Sequence, residues 1–244
     1  MIYIQSNSSR DLPNDFDTSS AMYGAIQNCK NYRLTSYEEV SSGKFDSLIS
    51  TRLFVGSVEF MKEVFNRVGL NDVKLPRNSN REFKTMQLGE VKSMAKQGSK
   101  MFIKPFDIKL FTGFVIDEME HTSIANVPND TNVMVYDVFT SPIESEWRLY
   151  IHNNKIVDSR NYSGDFMTSP NYDFAKQVIE ENKKDFPISY TIDIGILENG
   201  ENVVVEYNDM WAIGNYGVDN TIYLRLLTDR YFEIMRMKTN SFYI

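Results

Sequence analysis

The sequence predicts a mixed fold, α/β over the first third of the chain and antiparallel α+β beyond it. Three observations carry this reading. Short apolar strands alternate with helix-like segments through about residue 80, whereas from about residue 100 successive strands are joined by polar turns, the arrangement of antiparallel hairpins. The composition, 42% hydrophobic and 24% charged, is that of an ordinary globular protein with enough chain to bury one large core or two smaller ones.

The elements follow in order. Residues 1–5 (MIYIQ) read as a strand and 19–29 as a helix. The apolar run LIS within 46–54 reads as a second strand. Residues 57–68 (SVEFMKEVFNRV) form an amphipathic helix, with Val58, Phe60, Met61, Val64, Phe65 and Val68 on one face. The polar, proline-containing stretch 75–81 (LPRNSNR) is the expected boundary. A short helix is expected within 83–97, then strands at 100–105 (KMFIKP), 111–118 (FTGFVIDE) and 133–139 (VMVYDVF). Segments 146–152 and 155–160 should pair about Asn153-Asn154, followed by a helix over 172–184 and a closing amphipathic helix over 220–237.

The net charge of −7 argues against a protein that coats nucleic acid. Cys29 is the only cysteine and there are two histidines, so neither a disulfide framework nor a thiolate or histidine-rich metal site is expected. The first residues lack the pattern of a signal peptide and no apolar run is long enough to span a bilayer, so a cytoplasmic protein without a membrane partner is expected.

The most informative segment is 191–208 (TIDIGILENGENVVVEYN). Asn199-Gly200 suits a type I′ turn. A two-residue loop there sets Asp193 opposite Glu206 and Thr191 opposite Asn208. Asp193, Glu206 and Asn208 then share one face, and Ile192, Ile194, Ile196, Val203, Val205 and Tyr207 share the core face. Two facing carboxylates repel by roughly 3 kcal/mol at about 5 Å and an effective dielectric near 20. Either a cation such as Mg²⁺ or a shared proton relieves this, or the charges splay apart in water. Lys104, between Ile103 and Pro105, is either an edge-strand lysine or a fixed cation, and Lys109 repeats the ambiguity. Arg148 (ESEWRLYI) and Arg160 (VDSRNY) suit either ion pairs or bidentate phosphate contacts.

Taken together and in this order, FIKP at 102–105, VMVYDVF at 133–139, EWR at 146–148, DIG at 193–195 and VEYND at 205–209 resemble the ATP-grasp superfamily. The closing NDMWAIGNYG and the helix carrying Arg225 and Arg230 look closest to a clade, frequent in phages and bacteria, named for its arginine and lysine residues. The resemblance covers about residues 85–244. It implies an N-terminal α/β lobe (1–80), a small nucleotide-covering subdomain (81–137) and a C-terminal antiparallel sheet with helices and a metal site (138–244). It also implies ATP and Mg²⁺ as cofactors. Lys104, Lys109 and Arg148 would bind phosphates with Arg160, and Val135, Tyr136, Asp137 and Val138 would hold the adenosine. Asp193, Glu206 and Asn208 would hold the metal, and Trp211, Asn215 and Tyr216 would face the substrate. The glycine-rich phosphate loop of many relatives has no clear counterpart, only Gly98 and Gly113 being nearby. The implied activity is an ADP-forming ligation of a small-molecule or peptide carboxylate to an amine through an acyl phosphate, in the host cytoplasm if phage-encoded. An ATP-binding regulatory protein and a kinase-like phosphotransferase are the alternatives on the same scaffold.

Overall fold

The structure, a computed structural model, describes residues 1–71, 73, 75, 82–106, 110–118 and 121–241, the last four as backbone. The expected connector at 75–81 falls outside the described residues except for Leu75, and so does Lys109. The chain forms two compact units, one of Met1–Asn78 with Ile143–Ile244 and one of Ser79–Pro142.

The larger unit opens with β1 (Ile2–Gln5), α1 (Phe16–Gln27), β2 (Tyr32–Thr35), α2 (Tyr37–Ser41), α3 (Asp46–Ile49), β3 (Leu53–Val55) and α4 (Val58–Arg67). The three strands are parallel in the order β2-β1-β3. The run LIS is not a strand: Leu48 and Ile49 belong to the one-turn α3 and Ser50 follows it as its C-cap, and the strand starts at Leu53, where Leu53, Phe54 and Val55 are all buried. A short apolar run does not distinguish a buried strand from a helical turn. Asp15 begins α1 through a capping box with Thr18, and Ser57 caps α4.

The smaller unit holds β4 (Lys84–Gln87), α5 (Leu88–Lys96), β5 (Met101–Pro105), β6 (Phe114–Ile116), a 3₁₀ turn at Thr122–Ile124 and β7 (Asn132–Tyr136). Its antiparallel sheet runs β4-β7-β5-β6. Leu88, Val91 and Ala95 of α5 pack on Met101, Ile103, Ile116, Val133 and Val135. Strand β7 stops at Tyr136, so Asp137 and Val138 lie beyond it rather than inside a strand reaching 139.

The larger unit resumes with β8 (Ile143–His152), β9 (Lys155–Gly164), α6 (Tyr172–Asn182), β10 (Ser189–Leu197), β11 (Asn202–Asp209) and α7 (Asn220–Ser241). The four strands are antiparallel in the order β11-β10-β8-β9. Asn153 and Asn154 have φ of 49° and 58°, as the type I′ turn between β8 and β9 requires. One sheet face carries Leu149, Ile151, Ile192 and Ile194 against Ala175, Val178 and Ile179 of α6.

Where three segments are expected, the first and last share one core. Phe54, Phe60 and Phe65 cluster with Tyr150, Leu224 and Tyr231. Helix α1 lies so close to α7 that a Cβ on Gly24 would stand 2.3 Å from the Asn220 carbonyl oxygen. Among the described residues no helix is long and apolar enough to cross a membrane.

Arg230 of α7 is buried and ties the last helix to β11. It donates to both Asp209 oxygens at 2.7 and 2.6 Å and to Glu233 at 2.8 Å. Replacing it with methionine strands the buried Asp209 carboxylate, and a loss of about 3–5 kcal/mol is expected. Urea unfolding followed by the fluorescence of Trp147 and Trp211, both in this unit, measures it. Adding Asp209→Asn should recover much of the loss.

Candidate functional site

The candidate site grows from the hairpin of β10 and β11. Asp193 pairs with Glu206 and Thr191 with Asn208, as expected, but the turn differs. The Gly200 N–H bonds the Leu197 carbonyl and Gly200 alone takes a positive φ, 85°, so the loop is a tight turn at 198–199 followed by a left-handed glycine. This displaces the pairing near the turn by one residue, and Ile196 meets Asn202. A β-bulge between Asp193 and Ile194 restores it. The bulge also corrects the core face: Val204 packs with Ile192 and Ile194 over α6, while Val203 and Val205 flank Gly195 within 3.2 and 3.1 Å of where its Cβ would be.

Pairing across all four strands then sets four charged residues in one row: Glu206 on β11, Asp193 on β10, Arg148 on β8 and Arg160 on β9. Arg148 answers the repulsion expected between Asp193 and Glu206. Its guanidinium donates to both Asp193 oxygens at 2.8 and 2.7 Å and lies 4.0 Å from Glu206. Arg148 and Asp193 are 5% and 1% exposed, which leaves the pair almost without water. Burial pushes the Asp193 carboxyl up to about 6; Arg148 opposes the rise, and Glu206 and Glu146 add to it. Burial opposes the charge of Arg148, but the Asp193 carboxylate outweighs that and raises its pKa further above an already high value. Both groups are therefore ionised at neutral pH.

Other polar groups close around the pair. The Asn208 amide donates to Glu206 at 3.1 Å and to Asp193 at 3.4 Å. Tyr162 donates to Glu146 and lies 3.5 Å from Asp193. Burial, then the charges of Asp193 and Glu146, raise the Tyr162 phenol well above its usual range, so its hydroxyl keeps the proton it donates. The Arg148 guanidinium sits over the rings of Tyr216 and Tyr162, 4.8 and 5.6 Å from their centroids, and those rings stack at 5.0 Å. Arg160 pairs with Asp158 at 2.8 Å, while its buried Nε bonds nothing among the described residues. The 210–217 loop is held by Tyr150, whose hydroxyl bonds the carbonyls of Gly214 and Asn215, and by Asp17, which accepts the Asn215 N–H at 2.8 Å.

In the smaller unit, Lys104 pairs with Met134 and Phe102 with Tyr136 on the sheet face away from α5. The Lys104 ammonium is 5.3 Å from the Tyr136 ring centroid. Val135 faces the other way: strand alternation sends it into the core, so its side chain is not part of an adenine slot. Asp137 and Val138 are exposed.

An ATP-grasp domain family, the second family of the clade named for its arginine and lysine residues, matches residues 79–226, more than half of the chain. The chain belongs to this ATP-grasp family. The fold is similar to that of solved ATP-grasp proteins. D-alanine–D-alanine ligase from Bacillus anthracis superposes with a TM-score of 0.52 at 10% identity, over 97% of this chain and 98% of that one. N5-carboxyaminoimidazole synthetase from Staphylococcus aureus gives 0.55 at 10%, over 93% and 77%. The ATP-grasp ligase PsnB, solved with a variant of its minimal precursor, Mg and ADP, gives 0.50 at 10%, over 94% and 98%. No curated protein sequence gives a significant match.

Within this ATP-grasp chain the larger unit brings together Arg148, Arg160, Asp193, Glu206, Asn208 and Tyr216. Trp211 is half-buried, its ring packing edge-on against Phe65 at 5.4 Å. Asn215 is 1% exposed, and its side-chain amide bonds nothing among the described residues. Phe102 and Met134 escaped sequence reasoning, although alternation from Lys104 and Tyr136 marks them. Asp17 also escaped it, and nothing local signals a residue that bonds a partner 198 positions away.

The donor set suits Mg²⁺ in kind. Among the described residues no three His, Cys, Asp or Glu side chains gather as a metal group, but two carboxylates completed by amide, water and phosphate oxygens are what this ion takes. The Glu206 side chain is 41% exposed, whereas both Asp193 oxygens already accept from Arg148.

The two carboxylates should respond in opposite ways to mutation. Arg148→Met leaves Asp193 charged and buried, with an expected loss of about 3–5 kcal/mol that Asp193→Asn partly reverses. Glu206→Gln should change stability by less than about 1 kcal/mol, slightly upward, because a half-exposed like charge is removed. Chemical denaturation of the four proteins without nucleotide distinguishes the two responses.

Proposed function

We propose that the protein is an ATP- and Mg²⁺-dependent ligase that activates a carboxylate as an acyl phosphate and passes it to an amine, the carboxylate being a small molecule or a peptide. The observation that carries this reading is the row Glu206–Asp193–Arg148–Arg160. It sets two acids beside two guanidinium groups on one sheet face, the pairing of metal ligands and phosphate clamps that phosphoryl transfer needs. Support also comes from membership of the ATP-grasp family and from PsnB, a ligase of the same fold described with a precursor, Mg and ADP.

In this proposal Asp193, Glu206 and Asn208 hold Mg²⁺, which neutralises phosphate charge when bound. Asn208 turns its amide to present oxygen, and Glu206, the more exposed carboxylate, is the readier ligand. Lys104, Arg148 and Arg160 supply cations for the phosphate oxygens, and the family resemblance gives Lys109, outside the described residues, the same role. Phe102, Met134 and Tyr136 give the adenine an apolar surface, with Asp137 and Val138 at its end. Tyr216 and the 210–217 loop face the substrate.

Lys104→Ala and Arg160→Ala should each weaken ATP binding by about 1.5–3 kcal/mol and leave adenosine binding nearly unchanged. Val138→Arg should weaken both ligands. Calorimetry with ATP and with adenosine reads the difference, and equal losses for the two ligands in the lysine and arginine variants would move these residues away from the phosphates. The chemistry is tested with hydroxylamine, which intercepts an acyl phosphate as a hydroxamate. ADP and hydroxamate should then appear together when carboxylates and peptides are supplied with ATP and Mg²⁺. A stable phosphorylated product would identify a kinase.

A further inference from the structure

A cavity of about 190 Å³ lies within the larger unit, apart from the charged row. It sits where the parallel sheet ends. Val55 closes β3, Ser57 caps α4, and Asp17 stands in the first turn of α1, with Trp211, Ile213 and Gly214 of the loop completing the wall. Crevices at the carboxyl ends of parallel strands, beside strand-order reversals, are where α/β sheets bind ligands, and β1 lies between β2 and β3 in such a reversal.

The lining has a definite chemistry. It includes Asp15 and Asp17 and, among the described residues, no lysine, arginine or histidine. Asp15 is spent as the cap of α1, accepting the Thr18 N–H and hydroxyl through one oxygen and the Asn14 amide through the other. Asp17 is not spent. One oxygen accepts the Asn215 N–H, and the other bonds nothing among the described residues. Its carboxyl is partly desolvated, and burial raises its pKa. An acid so placed favours a ligand that brings a positive charge and N–H donors. Val55, Val58, Ala212, Ile213 and Leu227 give the wall an aliphatic part, beside Thr18, Ser57, Trp211 and Tyr223. At its far end, a Cβ on Gly214 would stand 3.7 Å from the Arg148 guanidinium, so the cavity ends one backbone thickness from the charged row.

The geometry points to a binding site for a primary amine with a short aliphatic body, held by Asp17 through its ammonium group. The site would seat the amine-bearing substrate of the ligase proposed above. That meaning rests on the ligase reading, but the binding itself does not.

The test uses the full chain without nucleotide and three probes of equal length: n-butylammonium, butyrate and n-butanol. Ligand-observed NMR or calorimetry should find n-butylammonium binding more tightly than the other two. Asp17→Asn, which keeps an acceptor for the Asn215 N–H, should weaken the ammonium by about tenfold or more and leave butanol unchanged. Val58→Trp, at a position that lines the cavity and is 40% exposed, should block all three probes while the far-ultraviolet dichroism stays native. The inference is overturned if butyrate binds as well as the ammonium, if folded Asp17→Asn keeps full affinity, or if n-butylammonium does not bind. ATP binding, measured separately on the same proteins, decides the ligase reading independently of these outcomes.

Discussion

The bidentate pair between Arg148 and Asp193 is the interaction on which the larger unit is arranged. Its two charges sit on neighbouring central strands, almost out of water, and an isolated charge at either position is costly. The surroundings are consistent with that demand. Tyr216 and Tyr162 present ring faces to the guanidinium, and Asn208 and Tyr162 turn donors toward the carboxylates. A slip of one residue in β10 would turn Asp193 into the aliphatic layer under α6 and an isoleucine toward Arg148. The pair therefore fixes register as well as charge.

Much of this site was legible in the sequence because it lies along two strands whose alternation is regular. Counting from Asn199-Gly200 placed Asp193 opposite Glu206, although the turn was assigned the wrong geometry. Two one-residue displacements cancel, one at the loop and one at the bulge, and no residue pattern announces the second. The exchange of Val204 for Val203 and Val205 in the core follows from the same bulge. What relieved the carboxylates was not legible from the hairpin alone, because the answer, Arg148, comes from a strand 45 residues earlier. Asp17 and the crevice beside it depend on contacts between the two ends of the chain, where local periodicity carries no information.

The smaller unit illustrates the same limit on a shorter scale. The sequence marked Lys104 and the strand at 133–139, and alternation then divides their neighbours between two faces. Val135 is lost to the core and Phe102 and Met134 take the outward positions. Treating every residue of a marked strand as site-facing ignores the period of two; half of any strand's side chains belong to the other face.

The shared core of the first and last segments has a consequence for how the chain is made. Residues 79–142 are contiguous and carry their own apolar cluster, so that cluster is complete in the chain as soon as they have been synthesised. The N-terminal sheet is different. Phe65 and Ile49 meet Tyr231 of α7, which begins at Asn220. At ordinary elongation rates roughly 10–30 s separate the emergence of these side chains from that of the helix that covers them. During that interval an unfinished apolar surface travels with the ribosome, open to chaperones and to other nascent chains. A chain terminated before α7 would keep that surface exposed for good.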